Sequence, residues 1–186
     1  MTLQAGGSAP ARGPDVVVVM GVSGVGKSTI GQALATTLGW AFAEGDAFHS
    51  AAAVAMMHAG VPLTDGDRWP WLDRIGAWIT AELAAGQSAV VTCSALRRVY
   101  LDRLRAGRPA VRFLDLVAPE VVVADRVRRR VQHFMPASLV DSQYVVLEPL
   151  EPEETAAGSV VVPVDGPPEL VLRRSLAALG LEPCAS

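Results

Sequence analysis

The sequence contains no asparagine, and Lys27 is its one lysine. A guanine-reading loop of the GTPase type needs an Asn and a Lys ahead of an Asp. The chain cannot supply that pair together with a phosphate-binding lysine, so GTPases are excluded. In so arginine-biased a background, a sole lysine marks a position where a planar guanidinium cannot replace a compact ammonium. Cysteine is scarce too. Cys93 and Cys184 form neither a metal-ligand spacing nor a disulfide framework, which fits a reducing, cytoplasmic setting. There is no basic surplus: the net charge is -3, which gives no footprint for nucleic acid. No apolar run reaches the ~20 residues of a membrane helix. The first fourteen residues lack a charged start followed by an apolar stretch. They read as a flexible tail, not a signal peptide.

What is present is one domain's worth of chain, 186 residues with 51% hydrophobic content. A single domain is expected over 15–182. Short β-branched runs at 16–20, 40–44, 88–93, 110–117 and 159–164 read as buried strands. Helical patterns fill 27–38, 51–58, 68–85, 95–106, 120–130, 138–147 and 168–179, several closed by glycine. The acidic, proline-containing stretch 148–158 reads as a loop. Strands alternating with helices predict an α/β fold of three layers, with five parallel strands between helices on both faces.

Residues 21–28 read GVSGVGKS and lie between a predicted strand and a predicted helix, the context a phosphate-binding loop requires. Gly21, Gly24 and Gly26 allow the backbone to curl with its N–H groups inward. The helix that follows adds its dipole. The nucleotide-binding set is therefore Gly21, Val22, Ser23, Gly24, Val25, Gly26, Lys27, Ser28 and Thr29. Lys27 is expected on the terminal phosphates of ATP and Ser28 on Mg²⁺. Asp46 follows the second strand, so it belongs at the carboxyl edge of the sheet, where ligands bind in such folds. It can accept a proton from an attacking hydroxyl, orient it, or hold metal-bound water.

The segments MGVSGVGKST, GDAFH (45–49), GVPLTDGDRWPWL (60–72), CSALRRVYLDRLR (93–105) and HFMPASLVDSQYVVLE (133–148) occur in one order. In this the chain resembles the gluconokinases, small P-loop kinases related to shikimate and nucleoside-monophosphate kinases. The resemblance implies ATP and Mg²⁺ as cofactors, gluconate as acceptor, a lid over about 126–138, and a possible homodimer. Arg68 is then the candidate for the acceptor's carboxylate, which its planar fork matches bidentately. The alternative is an ion pair of Arg68 with Asp65 or Asp67 in a turn before the helix. Arg126 and Arg130 share a helix face and are candidates for the charge on the moving phosphoryl group. His49, Arg97 and His133 complete the acceptor-site candidates, although His49 can equally be a packing residue. Trp69 and Trp71, flanking Pro70, read as packing at a helix start.

The chain departs from the family pattern at Ser50, Ala53 and Met56, where Pro, Asn and Lys are usual. It also departs at Leu101, usually Arg, and at Gln132, usually Gly. The missing Asn and Lys border the acceptor pocket. Weaker gluconate binding, wider specificity and altered packing are all open consequences. Two rival readings therefore stand beside gluconokinase: a kinase of the same fold for shikimate or another sugar acid, and a nucleotide-binding protein without catalysis.

Overall fold

The computed structural model describes residues 13–129 and 137–184. Its centre is β1 (Val16–Met20), five residues with no exposed surface. β1 pairs in parallel with β3 (Ala89–Thr92) on one side and β4 (Val111–Val117) on the other. β2 (Ala41–Ala43) and β5 (Val160–Pro163) close the two edges, giving a parallel sheet ordered β2-β3-β1-β4-β5. Every crossover carries helix, as parallel strands demand.

Side chains alternate across a strand, so β1 feeds two cores. Val17 and Val19 face α1 (Lys27–Leu38) and α8 (Pro168–Leu179), packing with Ile30, Leu34, Val171 and Leu176. Val16, Val18 and Met20 face α3 (Asp65–Ala84) and α4 (Arg98–Arg105), packing with Leu72, Ile75, Tyr100 and Leu104. The three-layer expectation holds.

Three local expectations are corrected. α4 begins at Arg98 rather than at 95. α3 begins at Asp65, not at 68. Thr64 and Asp67 form a reciprocal capping box that starts the helix upstream, so Asp65, Asp67 and Arg68 lie in its first turns and Pro70 lies inside it. The acidic loop is also partly helical. α7 (Pro152–Ala156) starts at a proline and is capped by Glu154, whose carboxylate accepts from the Glu151 N–H at 2.8 Å. α2 (Ala51–His58), α5 (Glu120–Arg129) and α6 (Ala137–Val146) complete the helices used below. Ser50, one of the departures, caps α2 by accepting from the Ala53 N–H, and Ala53 itself is buried.

Asp115 on β4 is 2% exposed, and its Oδ1 has no hydrogen-bond partner among the described residues. Burial raises its pKa from 3.8 to about 6. The folded state therefore holds this proton more tightly than the unfolded state. Stability falls as pH rises from about 4 to about 6 and is level above that. Asp115→Asn removes the ionisation and is expected to stabilise the fold by up to about 3 kcal/mol at pH 7.5, with a much smaller gain at pH 4.5. Urea unfolding at the two pH values measures the difference; an equal gain at both contradicts this account.

Candidate active site

The phosphate loop joins β1 to α1 at the carboxyl edge of the sheet. Gly21, Gly24 and Gly26 all take positive φ, at 126°, 86° and 113°. Two of them are also fixed by contact. A Cβ on Gly21 would lie 2.6 Å from the Leu116 carbonyl oxygen, and one on Gly24 would lie 2.5 Å from the Val127 side chain. No other residue type fits the curl. Val22 and Val25 anchor the loop in the core, while Ser28 and Thr29 present their hydroxyls at the exposed start of α1. Lys27 Nζ donates to the Val22 carbonyl at 3.1 Å, arching over the loop it serves.

Asp46 sits in a single 3-10 turn, Gly45–Phe48, directly after β2. Gly45 carries it there by an approach only glycine allows, since a Cβ would meet the Thr92 carbonyl oxygen at 1.9 Å. The Gly45 N–H donates to Thr92 Oγ1 at 3.0 Å, and Trp71 Nε1 donates to the Gly45 carbonyl at 2.7 Å. The peptide before Asp46 is thus pinned from β3 and from α3, and the carboxylate stands exposed at the sheet edge.

Cys93, at the end of β3, reports what surrounds this point. Burial pushes its thiol up to about 12, while the charges of Lys27, Asp46 and Arg68 all act on it. The thiol is too basic to serve as a nucleophile.

Arg68 makes neither of the ion pairs open to it. Asp67 is engaged by Thr64, and Asp65 by Arg97 Nη1 at 2.5 Å and by the Tyr100 hydroxyl at 2.5 Å. Among the described residues, the guanidinium of Arg68 has one hydrogen-bond partner, the Tyr100 hydroxyl at 3.2 Å. Most of its fork is free to bind an anion. Arg68 and Arg97 both lie over the Tyr100 ring, 5.7 and 5.6 Å from its centre, and Trp69 meets that ring edge-on. The hydroxyl of Tyr100, followed by Arg97, holds the Asp65 carboxyl below its usual range. Arg97 is thus beside the site, but half-neutralised by Asp65.

His49 packs face to face on Trp71, with centroids 4.4 Å apart and planes within 9°. Its Nδ1 is buried without a partner among the described residues, and burial lowers its pKa against the opposing pull of Asp46. The geometry shows the packing on Trp71 and leaves Nδ1 for the acceptor-site expectation. On the other side of the phosphate loop lies a cleft of about 260 Å³ lined by Gly24, Gly26, Thr29, Arg126, Gly166 and Pro168. Arg126 donates there to the Val164 carbonyl at 3.2 Å. Arg130, His133 and most of the expected lid lie outside the described residues. Tyr100, which meets Arg68, and Thr92, which pins the peptide before Asp46, are residues that sequence reasoning does not single out. Only the presence of Tyr100 in a segment shared with the gluconokinases could have drawn attention to it.

A parallel sheet in this order, with a glycine-curled phosphate loop at its edge and an acid opposite, defines a P-loop kinase. A family model described as an AAA domain matches residues 16–150. The gluconokinase of Gluconobacter oxydans is 50% identical over 135 residues, covering 73% of this chain and 76% of that protein. The chain belongs to the gluconokinase family. The thermosensitive gluconokinase of Escherichia coli is 39% identical over 74% of this chain and 73% of its own length. Among solved structures, a gluconokinase from Sinorhizobium meliloti superposes with a TM-score of 0.78 at 44% identity, covering 91% of this chain and 93% of its own. A sugar kinase from Janibacter reaches 0.84 at 49% identity, covering 90% and 95%.

Proposed function

We propose that the protein transfers the terminal phosphoryl group of ATP to the 6-hydroxyl of D-gluconate, giving 6-phospho-D-gluconate and ADP. The observation that carries this reading is Arg68, a guanidinium with one hydrogen-bond partner among the described residues, on the same helix as the Trp71 that pins the peptide before Asp46. In this reading the acceptor's carboxylate binds Arg68 and its hydroxyl end is presented to Asp46. The close homology to named gluconokinases supports the same acceptor.

In this scheme the loop N–H groups and Lys27 bind the ATP phosphates, with the nucleoside in the cleft beside Arg126. Asp46 orients the hydroxyl and takes its proton as the oxygen bonds to phosphorus. The bond from phosphorus to the ADP oxygen breaks, and ADP leaves with the electron pair. Arg126 and Arg130 are assigned to the charge of the moving group and the phosphates, His49, His133 and Arg97 to the acceptor side, under a lid at about 126–138.

The chemistry of the donor set fits Mg²⁺. Among the described residues no cluster of three or more His, Cys, Asp or Glu forms a metal cage. Mg²⁺ is usually bound by substrate phosphates and one or two protein oxygens, here Ser28 and Asp46. Bound there, the ion would neutralise phosphate charge. The reading keeps one kinase domain over 15–182, working in the cytoplasm without nucleic acid, alone or as a homodimer. Among the described residues, no helix is long and apolar enough to cross a membrane.

The test is ADP release with Mg²⁺-ATP across gluconate, other sugar acids and shikimate. Strong turnover with gluconate supports the proposal. Silence with gluconate and turnover with another acid refutes the acceptor.

A further inference from the structure

α6 and the strap after it are fastened at three separate places. Tyr144 donates its hydroxyl to the Ala118 carbonyl at 2.9 Å, beyond the end of β4. Glu148 donates its N–H to the Leu96 carbonyl at 2.8 Å, and its carboxylate accepts the Arg98 N–H at 2.5 Å, capping α4. The third fastening is on the phosphate loop. Gln143 Oε1 accepts the Ser23 N–H at 2.7 Å, and Gln143 Nε2 donates to Ser23 Oγ at 3.2 Å. One side-chain amide thus grips both the backbone N–H and the hydroxyl of a residue 120 positions away.

We propose that Gln143 is a positioning residue for phosphoryl transfer, holding the phosphate loop through Ser23 in the shape that receives the ATP phosphates. Ser23 stands between two glycines of positive φ, Gly21 and Gly24. Such a backbone has an unusually large conformational range to lose on ordering. The grip fixes it beforehand, so that less order has to be imposed when ATP binds. The flanking contacts of Tyr144 and Glu148 keep the amide from following the loop. The acidic strap thereby braces the residue that braces the loop. Arg98 reinforces the strap by pairing with Glu151 at 2.9 Å and Glu154 at 3.2 Å.

The inference rests on the kinase reading, but its test includes ATP binding, which does not depend on the acceptor. Gln143→Ala is expected to weaken ATP affinity and lower kcat by about ten-fold each, the scale of two modest hydrogen bonds. The KM for gluconate should stay within about two-fold, because Arg68 and Tyr100 are untouched. Gln143→Glu keeps an acceptor for the Ser23 N–H but adds a negative charge near the phosphates. Its ATP affinity should fall below that of Gln143→Ala at low salt, and the gap should close as salt is raised. Calorimetric ATP titration, thermal melting and steady-state kinetics read these outcomes. Unchanged ATP affinity in Gln143→Ala overturns the proposal. So does a parallel loss of ATP affinity, gluconate affinity and melting temperature, which would mark Gln143 as packing alone. If the wild-type chain bound ATP but ignored gluconate, the acceptor assignment would fall while the ATP titrations still judged Gln143.

Discussion

Asp46→Asn should bind ATP and gluconate nearly as the wild type does and turn over about 10²–10⁴-fold more slowly, the range associated with a positioned proton acceptor. Asn matches Asp in size, so the turn Gly45–Phe48 and its contacts with Thr92 and Trp71 should survive. The amide cannot take the hydroxyl's proton. Lys27 and the loop N–H groups still bind phosphates, and Ser28 with the variant's amide oxygen still offers oxygens to Mg²⁺, so the KM for ATP should rise far less than kcat falls. The deficit belongs in kcat, the sign of an interaction made in the transition state. Steady-state kinetics with both substrates varied measures this. Turnover within a few-fold of wild type would remove Asp46 from the chemistry and leave it as an exposed residue at the sheet edge.

The second large effect concerns Arg68. Arg68→Ala is expected to cost about 2–5 kcal/mol in gluconate kcat/KM, the range for truncating one partner of a hydrogen-bonded charge pair. Arg68→Lys should recover only part, because an ammonium keeps the charge but loses the bidentate fork. The discriminating comparison uses an uncharged six-carbon polyol of the same length. Wild type should discriminate strongly against it, and Arg68→Ala should discriminate little. Tyr100→Phe should fall in between, since it removes both the hydroxyl that holds Arg68 and a hydrogen bond to Asp65. If Arg68→Ala still preferred gluconate to the polyol as strongly as wild type, the carboxylate would have to be read elsewhere. Arg97 would be the next candidate, released from Asp65.

Much of the fold is legible because glycine and proline mark their own positions. α1 runs from the residue after Gly26 to the residue before Gly39, and α8 from Pro168 to the residue before Gly180, as expected. The start of α3 is harder to place because Pro70 resembles a first-turn proline, whereas the stronger signal is Thr64 three residues ahead of Asp67. The charge of the acidic stretch suggests a loop. Its Glu154 is in fact buried and paired with Arg98, a long-range contact no local pattern announces. In the site, the loop glycines, Lys27 and Asp46 follow from motif and strand-edge logic. The choice for Arg68 between a surface ion pair and an open fork does not. It depends on Tyr100 and Arg97 arriving from α4 and its approach to occupy Asp65. The contacts of His49 and Gln143 likewise require knowing what lies beside them in space, Trp71 and Ser23 respectively.

The departures at Ser50 and Ala53 look different in three dimensions. Ser50 caps α2 with its own hydroxyl, and Ala53 is buried beneath it. The segment has a coherent packing solution without the Pro and Asn usual in relatives. This favours retention of the acceptor over its loss.

The most direct test of the central claim is coupled ADP release with Mg²⁺-ATP, comparing D-gluconate with other sugar acids and shikimate at equal concentration. The account predicts strong turnover with gluconate, 6-phospho-D-gluconate as product, and little or no turnover with the rest. Tight ATP binding with no gluconate-dependent ADP release would contradict it.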